Sequence, residues 1–127
     1  MLFRSRGYAE SLLEALQIPY RTLLMCTGDM GFTQTKKYDL EIWSPAQERW
    51  LEVSSCSHFG SFQARRMMLR FRKDNGDTEM LHTHNGSALA LPRVMAAILE
   101  IYQREDGGLA VPDVLQPFMG SGMINGG

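Results

Sequence analysis

The stretch YDLEIWSPAQERWLEVSSC, residues 38–56, determines the fold. Its first five residues alternate apolar with charged side chains, the pattern of a half-buried β-strand. Ser44-Pro45-Ala46-Gln47 interrupts the alternation, and a second strand follows from Trp50 to Cys56. Because only a short polar break separates the two strands, we predict an antiparallel hairpin.

The predicted hairpin brings acidic side chains together. Pairing of the two tryptophans sets the register, with three pairs facing each other: Trp43–Trp50, Glu41–Glu52 and Asp39–Ser54. Like charges directly opposite each other are destabilising unless a cation lies between them. A divalent cation could take oxygen ligands from Glu41 and Glu52, with a hydroxyl from Ser54 or Ser55. The other interpretation, that both glutamates lie on a solvated face or pair with nearby arginines, also stays open.

Outside this hairpin the sequence predicts further short elements. The first two are an amphipathic helix from Tyr8 that stops at Pro19 and a buried strand over 22–26. A helical turn over 62–67 follows, with Ser61 as its N-cap, and then a second hairpin with arms near 69–72 and 80–84 around Asn75-Gly76. The last is a helix from Val94 that is buried almost all round in its first half and ends at Gly107. We therefore expect an α+β fold, an antiparallel sheet flanked by helices.

Composition excludes several classes of protein. The 127 residues are 44% hydrophobic and 21% charged, which fits one folded domain rather than a disordered chain. Thirteen basic against 14 acidic residues leave a net charge of −1, which argues against a broad surface for nucleic acid or membrane. No apolar run approaches the roughly 20 residues that span a bilayer, and two cysteines are too few for a disulfide framework, so we expect a cytoplasmic protein. Residues 1–7 show no periodicity and are interpreted as a leader or truncation artefact before a domain of residues 8–127.

Arg93 is a second feature that suggests a ligand. Pro92 suits the first position of the long helix, which places Arg93 at the next position. A cation in the first turn opposes the helix dipole by about 0.3–1 kcal/mol. An anion bound there would reverse the sign, because free N–H groups and the guanidinium would both point at it. A solvated arginine that reaches outward is the alternative.

Two other clusters have weaker patterns. A zinc site could use one cysteine and three histidines, Cys56, His58, His82 and His84, but their spacing is unlike the usual zinc patterns. A basic stretch, Arg65, Arg66, Arg70, Arg72 and Lys73, could contact a phosphate backbone, although such stretches are more often solvated faces with local ion pairs.

Several motifs occur together and in order. They are CTGDMGF (26–32), YDLEIW (38–43), EVSSCS (52–57), FQARR (62–66), HT (82–83) and NGSALALPR (85–93). The sequence resembles the C-terminal part of the catalytic domain of seryl-tRNA synthetase, a class II aminoacyl-tRNA synthetase, over about residues 8–120. The resemblance implies a partial class II catalytic fold and a serine–tRNA ligase, which uses ATP to activate serine as an adenylate and then transfers the seryl group to tRNA(Ser).

The resemblance also implies roles for individual residues. Glu52, Val53, Ser54 and Ser55 would contact ATP, and Glu52 and Ser55 would help to hold Mg²⁺. Arg93 matches the arginine of the third class II motif, which grips the terminal phosphate, so Arg93 and Glu52 are the catalytic candidates. Catalysis would consist of positioning and charge stabilisation. Because positions 52 and 55 fall on opposite faces of a regular strand, sharing a metal requires a bulge or a strand end.

The expected serine pocket is where this chain departs from the family pattern. Asn85 and Ser87 would line that pocket by resemblance. His84 stands where the family usually has leucine, Ala88 where it has glycine, and Leu91-Pro92 where Val-Gly is common. We therefore expect the pocket floor near Ala88 to differ most from that of the family.

Some parts of the family have no counterpart in these 127 residues. The first and second class II motifs and the N-terminal arm that binds tRNA are missing, so we expect a fragment that lacks activity alone. The resemblance implies that the full-length parent is a cytoplasmic homodimer that binds serine and tRNA(Ser) and no membrane. The competing hypothesis is a stand-alone paralogue that keeps the fold without catalysis and binds nucleotide or a partner protein.

Overall fold

The computed structural model describes residues 2–126, which form four α-helices, two short 3-10 helices (Thr27–Asp29 and Asp113–Leu115) and eight strands. The helices are α1 (Leu2–Ala15), α2 (Phe62–Met67), α3 (Leu91–Ile101) and α4 (Gln116–Met119). The strands are β1 (Tyr20–Leu24), β2 (Lys36–Ser44), β3 (Arg49–His58), β4 (Arg70–Arg72), β5 (Thr78–Met80), β6 (His84–Gly86), β7 (Leu109–Ala110) and β8 (Met123–Ile124). None of the helices in this part of the chain combines the length and the apolar character that a membrane span needs.

The central sheet has the antiparallel strand order β1-β2-β3-β6, and helices flank it, so the predicted α+β fold is confirmed. The remaining strands form two small two-stranded sheets, β4-β5 and β7-β8. The β2–β3 hairpin is the predicted one. It contributes most of the pairing in the central sheet because its two strands are long and follow each other directly.

A β-bulge interrupts the register of this hairpin. The pairs around it are Trp43–Trp50, Glu41–Glu52, Leu40–Ser54 and Asp39–Ser55. The tryptophan and glutamate pairs are as predicted, but Val53 has no partner, so two residues of β3 occupy one step of β2. The predicted facing of Asp39 and Ser54 is therefore wrong, and Asp39 faces Ser55.

The hydrophobic core lies on one face of the sheet. Its buried members come from both long helices and the hairpin: Ala9, Leu13 and Leu16 of α1, Val94, Ala97 and Ile98 of α3, and Leu40, Ile42 and Val53 of the strands, joined by Ile18. Leu40 and Ile42 are fully buried, and each such side chain contributes about 1.5–3 kcal/mol. The buried side chains of both long helices pack on this face. We call the opposite face of the sheet the polar face; it carries Lys37, Asp39, Glu41 and Trp43 of β2 with Trp50, Glu52, Ser55 and Ser57 of β3.

The first two elements begin earlier than predicted. The first helix starts at Leu2 rather than Tyr8, since Leu2, Ala9 and Leu13 all turn toward the sheet. Residues 2–7 therefore belong to the same helix as the residues that follow. The first strand covers Tyr20–Leu24 and is an edge strand, with Leu24 61% exposed, so its apolar run does not indicate burial.

The second hairpin forms around Asn75-Gly76 as predicted, but its second arm is Thr78–Met80 rather than 80–84, because His84 pairs with β3 in the central sheet. Its loop has three residues instead of two. Lys73 and Asp77 close the loop through the bond from the Lys73 N–H to the Asp77 carbonyl (2.7 Å). Gly76 has a φ of +90°, the left-handed conformation that such a loop requires at this point.

Two helix predictions need correction. The expected N-cap Ser61 makes no side-chain cap; its hydroxyl instead accepts a bond from Arg65 Nε (3.1 Å). The third helix is not buried all round, because only one stripe contacts the sheet and Met95, on the other side, is 59% exposed. It ends at Ile101, with Tyr102 as the C-cap, well before the expected Gly107.

Candidate functional site

The bulge brings Glu52 and Ser55 to the polar face together. Each lies opposite an odd-numbered residue of β2, Glu41 and Asp39 respectively, and odd-numbered residues of one strand share a face. The condition that the sequence set for a shared metal, an irregularity between residues 52 and 55, is therefore present at Val53.

An arginine of the neighbouring strand neutralises one of the two facing glutamates. Arg21 Nε lies 2.6 Å from Glu41 Oε2, and the Arg21 guanidinium also stacks 4.5 Å from the centre of the Trp50 ring. Glu41 thus adopts the alternative that the sequence left open, an ion pair with a nearby arginine. Glu52 is exposed, and its carboxylate has no ion pair among residues 2–126. The Glu52 carboxylate is therefore free to bind a cation on the polar face.

Next to Ser55 lies a buried ion pair. Lys37 Nζ is 2.9 Å from Asp39 Oδ2, and Asp39 is only 3% exposed. Burial alone would lower the pKa of Lys37, but the hydrogen bond and charge of Asp39, helped by the charge of Glu52, raise it. The lysine is therefore charged at neutral pH. The other carboxylate oxygen, Asp39 Oδ1, is buried without a hydrogen-bond partner.

Arg93 lies in the first turn of α3, directly above the bulge. Helix α3 begins at Leu91, so Pro92 is the second helical residue rather than the first, and Arg93 is the third. The Arg93 guanidinium donates to the main-chain carbonyl of Glu52, and the N–H of Ala90 donates to the carbonyl of Val53 (2.6 Å). The helix start and the bulged strand are thus joined at two consecutive carbonyls.

The surroundings of Arg93 favour an anion. Arg93 is exposed, the first turn of α3 contains no acidic residue, and no carboxylate in the described part of the chain pairs with the guanidinium. A guanidinium has five N–H donors, of which the contact with Glu52 uses one. The N–H groups at a helix start and the positive end of its dipole also attract anions.

Val53 and Ser54 turn their side chains away from the polar face. Val53 belongs to the hydrophobic core, and the buried Ser54 hydroxyl donates to the carbonyl of Ser87 (2.6 Å). Any contact of these two residues with a ligand on the polar face would therefore involve the main chain.

The two residues expected at the serine pocket occupy different surroundings. Asn85 faces Ser57 and so extends the polar face along β6. Ser87 borders a cavity of about 220 Å³ against α1, together with Ala88. Arg93 thus contacts the main chain of Glu52, Glu52 and Ser55 share the polar face, and Ser87 borders a separate cavity.

The zinc hypothesis finds no support. Within residues 2–126 there is no group of three or more histidine, cysteine or acidic side chains placed to hold a metal. The rings of His58 and His82 are 5.6 Å apart, and His58 Nδ1 shares a hydrogen bond with the Thr35 hydroxyl (2.7 Å). Cys56 is buried in the other direction, beside Tyr38.

The basic stretch is engaged in local contacts. The Arg66 guanidinium stacks 3.5 Å from the centre of the Phe62 ring, and Lys73 Nζ lies 2.6 Å from Glu79 Oε2. These contacts agree with a solvated face more than with a phosphate-binding surface.

Sequence reasoning missed Lys37 and Arg21 as parts of the site and named Asp39 only as the partner of Ser54. A signal was present for the pairing of Lys37 with Asp39, because residues at i and i+2 of a strand share a face and these two carry opposite charges. Arg21 gave no such signal, since its place depends on β1 joining the sheet beside β2.

Comparison with known proteins identifies the same family throughout. The family model described as tRNA synthetase class II core domain (G, H, P, S and T) matches residues 3–102. A serine–tRNA ligase from Chromobacterium violaceum is 54% identical over 120 residues, which are 94% of this chain and 28% of the relative. One from Salinibacter ruber is 59% identical over 117 residues, 91% of this chain and 27% of the relative.

Solved structures agree. Seryl-tRNA synthetase from Pyrococcus horikoshii complexed with ATP superposes with a TM-score of 0.91 and 41% identity, over 98% of this chain and 28% of that one. Cytoplasmic serine–tRNA ligase from Naegleria fowleri in complex with AMP superposes with a TM-score of 0.87 and 32% identity, over 98% of this chain and 30% of that one. The chain spans little more than a quarter of the length of these relatives. The resemblance to seryl-tRNA synthetases is confirmed, and the chain belongs to the class II tRNA synthetase core-domain family.

Proposed function

We propose that this chain supplies the part of a serine–tRNA ligase that binds the triphosphate of ATP, with Arg93 on the terminal phosphate and Glu52 facing the accompanying metal ion. The observation that carries the proposal is the contact between the Arg93 guanidinium and the main chain of Glu52. It joins a guanidinium to the residue that carries the exposed carboxylate, and neither group has an ion-pair partner among residues 2–126. A metal–triphosphate offers both charges at once.

The chemistry follows from this pair of charges. In adenylate formation the carboxylate of serine attacks the α-phosphate, and pyrophosphate leaves. Arg93 would hold the terminal phosphate and stabilise the charge that collects on the departing group. No side chain of the site needs to form a covalent bond, so the chain's contribution is orientation and charge stabilisation.

The residues on the polar face fit Mg²⁺. Glu52 offers a carboxylate without an ion pair among residues 2–126, and Ser55 offers a hydroxyl on the same side of the bulge. Oxygen ligands of this kind, completed by phosphate oxygens and water, are those that Mg²⁺ prefers. The metal would neutralise phosphate charge and so favour departure of pyrophosphate.

Substrates and assembly belong to the same proposal. Because the relatives are serine–tRNA ligases, serine and tRNA(Ser) are the proposed substrates of the whole protein, with Asn85 and Ser87 proposed near serine. A homodimer and a cytoplasmic location are proposed from the family likeness alone.

The binding step can be tested on the 127-residue chain itself. Calorimetric titration with ATP and Mg²⁺ is expected to show binding that Arg93→Ala weakens by about 10-fold or more, the value of a charge-assisted hydrogen bond. Arg72→Ala is the matched control, because Arg72 is also an exposed arginine but lies on β4, away from the polar face. Equal affinities in the two variants would contradict the role of Arg93.

The catalytic step needs the rest of a ligase. In the Chromobacterium violaceum enzyme, this chain can replace the aligned 120 residues. The chimera is expected to catalyse serine-dependent pyrophosphate exchange, and Arg93→Ala is expected to abolish it. A folded chimera that binds ATP without exchange would instead support the non-catalytic paralogue.

A further inference from the structure

Asp39 carries a buried oxygen with no assigned partner. Its Oδ2 pairs with Lys37 at 2.9 Å, while Oδ1 is inaccessible and accepts no hydrogen bond from residues 2–126. Buried polar atoms nearly always have a partner, so an exception indicates either an unfilled role or a missing donor. The ion pair fixes the orientation of this carboxylate, because the ammonium holds one of its two oxygens.

The Ser55 hydroxyl is a possible hydrogen-bond donor to this oxygen. Asp39 and Ser55 are directly paired across β2 and β3, and both lie on the polar face. No group in the described part of the chain hydrogen-bonds the Ser55 hydroxyl. Directly opposite residues of an antiparallel pair have Cβ atoms about 4.5–5.5 Å apart, which an aspartate and a serine side chain can span with one hydrogen bond. One rotation about the Ser55 Cα–Cβ bond would therefore satisfy both groups.

We propose that Asp39 is the positioning residue of the metal site: Oδ1 accepts the hydrogen of the Ser55 hydroxyl and thereby turns an oxygen lone pair toward the cation that Glu52 faces. This inference rests on the proposed function, because it concerns the same metal. Lys37 holds Oδ2, so only Oδ1 remains to accept. The arrangement is a hydrogen bond behind a metal ligand, which orients the ligand and strengthens it.

The register explains why this role falls to Asp39. Without the bulge, the residue opposite Asp39 would be Ser54, whose hydroxyl is buried and donates to Ser87. The extra residue at Val53 advances β3 by one position and brings Ser55 into line. The same irregularity that joins Glu52 and Ser55 on one face therefore also supplies Ser55 with its acceptor.

The test is a double-mutant cycle on the 127-residue chain. Mn²⁺ affinity is measured by electron paramagnetic resonance in the presence of a non-hydrolysable ATP analogue. Asp39→Asn is expected to weaken Mn²⁺ binding by about 10-fold, the usual effect of losing a partner behind a metal ligand. In the Ser55→Ala background the same substitution is expected to have no further effect, whereas a general loss of negative charge would persist there.

Glu41→Gln is the matched control. It also removes a carboxylate from the polar face, but one that Arg21 already pairs. It is expected to weaken Mn²⁺ binding equally in both backgrounds. Additive effects of Asp39→Asn and Ser55→Ala would overturn the positioning role while leaving the proposed function intact. Failure of the unmodified chain to bind Mn²⁺ with the analogue would overturn both.

A second measurement leaves Asp39 in place, in case Asp39→Asn does not fold. The ¹³C resonance of the Asp39 carboxylate is followed by NMR while Mg²⁺ and the analogue are added. We expect a shift in the unmodified chain that Ser55→Ala abolishes and Ser55→Thr, which keeps a hydroxyl, restores. A shift that survives Ser55→Ala would refute the hydrogen bond.

Discussion

Strand β6 depends on the absence of a side chain at one position, Gly86. An ideal Cβ built on Gly86 would lie 2.8 Å from the carbonyl oxygen of Ser55 and 2.9 Å from the sulfur of Cys56. Both distances are shorter than real Cβ contacts, and the first partner is main chain within β3. Cys56 is itself fully buried, and its Cα would also lie only 3.1 Å from the new Cβ. The extra methyl must therefore push β6 away from the sheet.

The expected cost of Gly86→Ala is that of forcing a methyl group against the main chain of β3, about 1–3 kcal/mol. For a domain of this size each kcal/mol changes the melting temperature by about 3–5 °C. Thermal unfolding followed by circular dichroism should therefore show a melting temperature lower by about 3–15 °C. Because the clash involves the carbonyl of Ser55, we also expect weaker Mn²⁺ binding in the presence of an ATP analogue.

Gly7→Ala is the matched control. Gly7 lies inside helix α1, and a Cβ there would meet nothing within 4 Å. Alanine is the better helix former, so this variant should gain about 0.5–1 kcal/mol. If Gly86→Ala melted at or above the temperature of the unmodified chain, β6 would have to move freely, and the close packing of β6 on β3 would be refuted.

Two further predictions concern the core and one edge of the sheet. Leu40→Ala is expected to lower the free energy of unfolding by about 2–5 kcal/mol in a denaturant titration, since Leu40 is fully buried. Leu24 is exposed, so Leu24→Ala should change the free energy of unfolding by no more than about 0.5 kcal/mol. Similar losses in both variants would contradict the assigned core. Burial and the hydrogen bond to Glu14 raise the pKa of Tyr20 to about 12, so its share of the stability is complete below about pH 10 and is lost as the pH rises through about 12. An NMR titration of labelled tyrosine should show this high midpoint, which Glu14→Gln should lower.

The hairpin could be predicted from the sequence because its information is local. Residues 38–42 alternate with period two, and the break at 44–47 is close enough to define the pairing of Trp43 with Trp50. The nature of β1 could not be predicted in the same way. Whether an apolar run becomes a central or an edge strand depends on which strands pair on each side, and that is decided by the whole topology.

The site was predictable in its residues more than in its contacts. Glu52 and Arg93 each violate a local preference, an acid opposite an acid and a cation at a helix start, and such violations are visible in a sequence. The contact between them is not visible, because it needs the helix start to dock on the edge of β3. The buried pairing of Lys37 with Asp39 was missed because its burial depends on how the chain covers this end of the polar face.

The docking of Arg93 on Glu52 follows from the bulge. In a regular strand successive carbonyls point to opposite edges, so only one of two neighbours can accept from an element beside the strand. Here the carbonyls of Glu52 and Val53 both accept from the start of α3. Strand β6 pairs with residues 56–58 only, which leaves that edge free for the helix. One inserted residue thus aims two carbonyls at the helix and two side chains at the polar face, and a variant that deleted Val53 would lose both arrangements together.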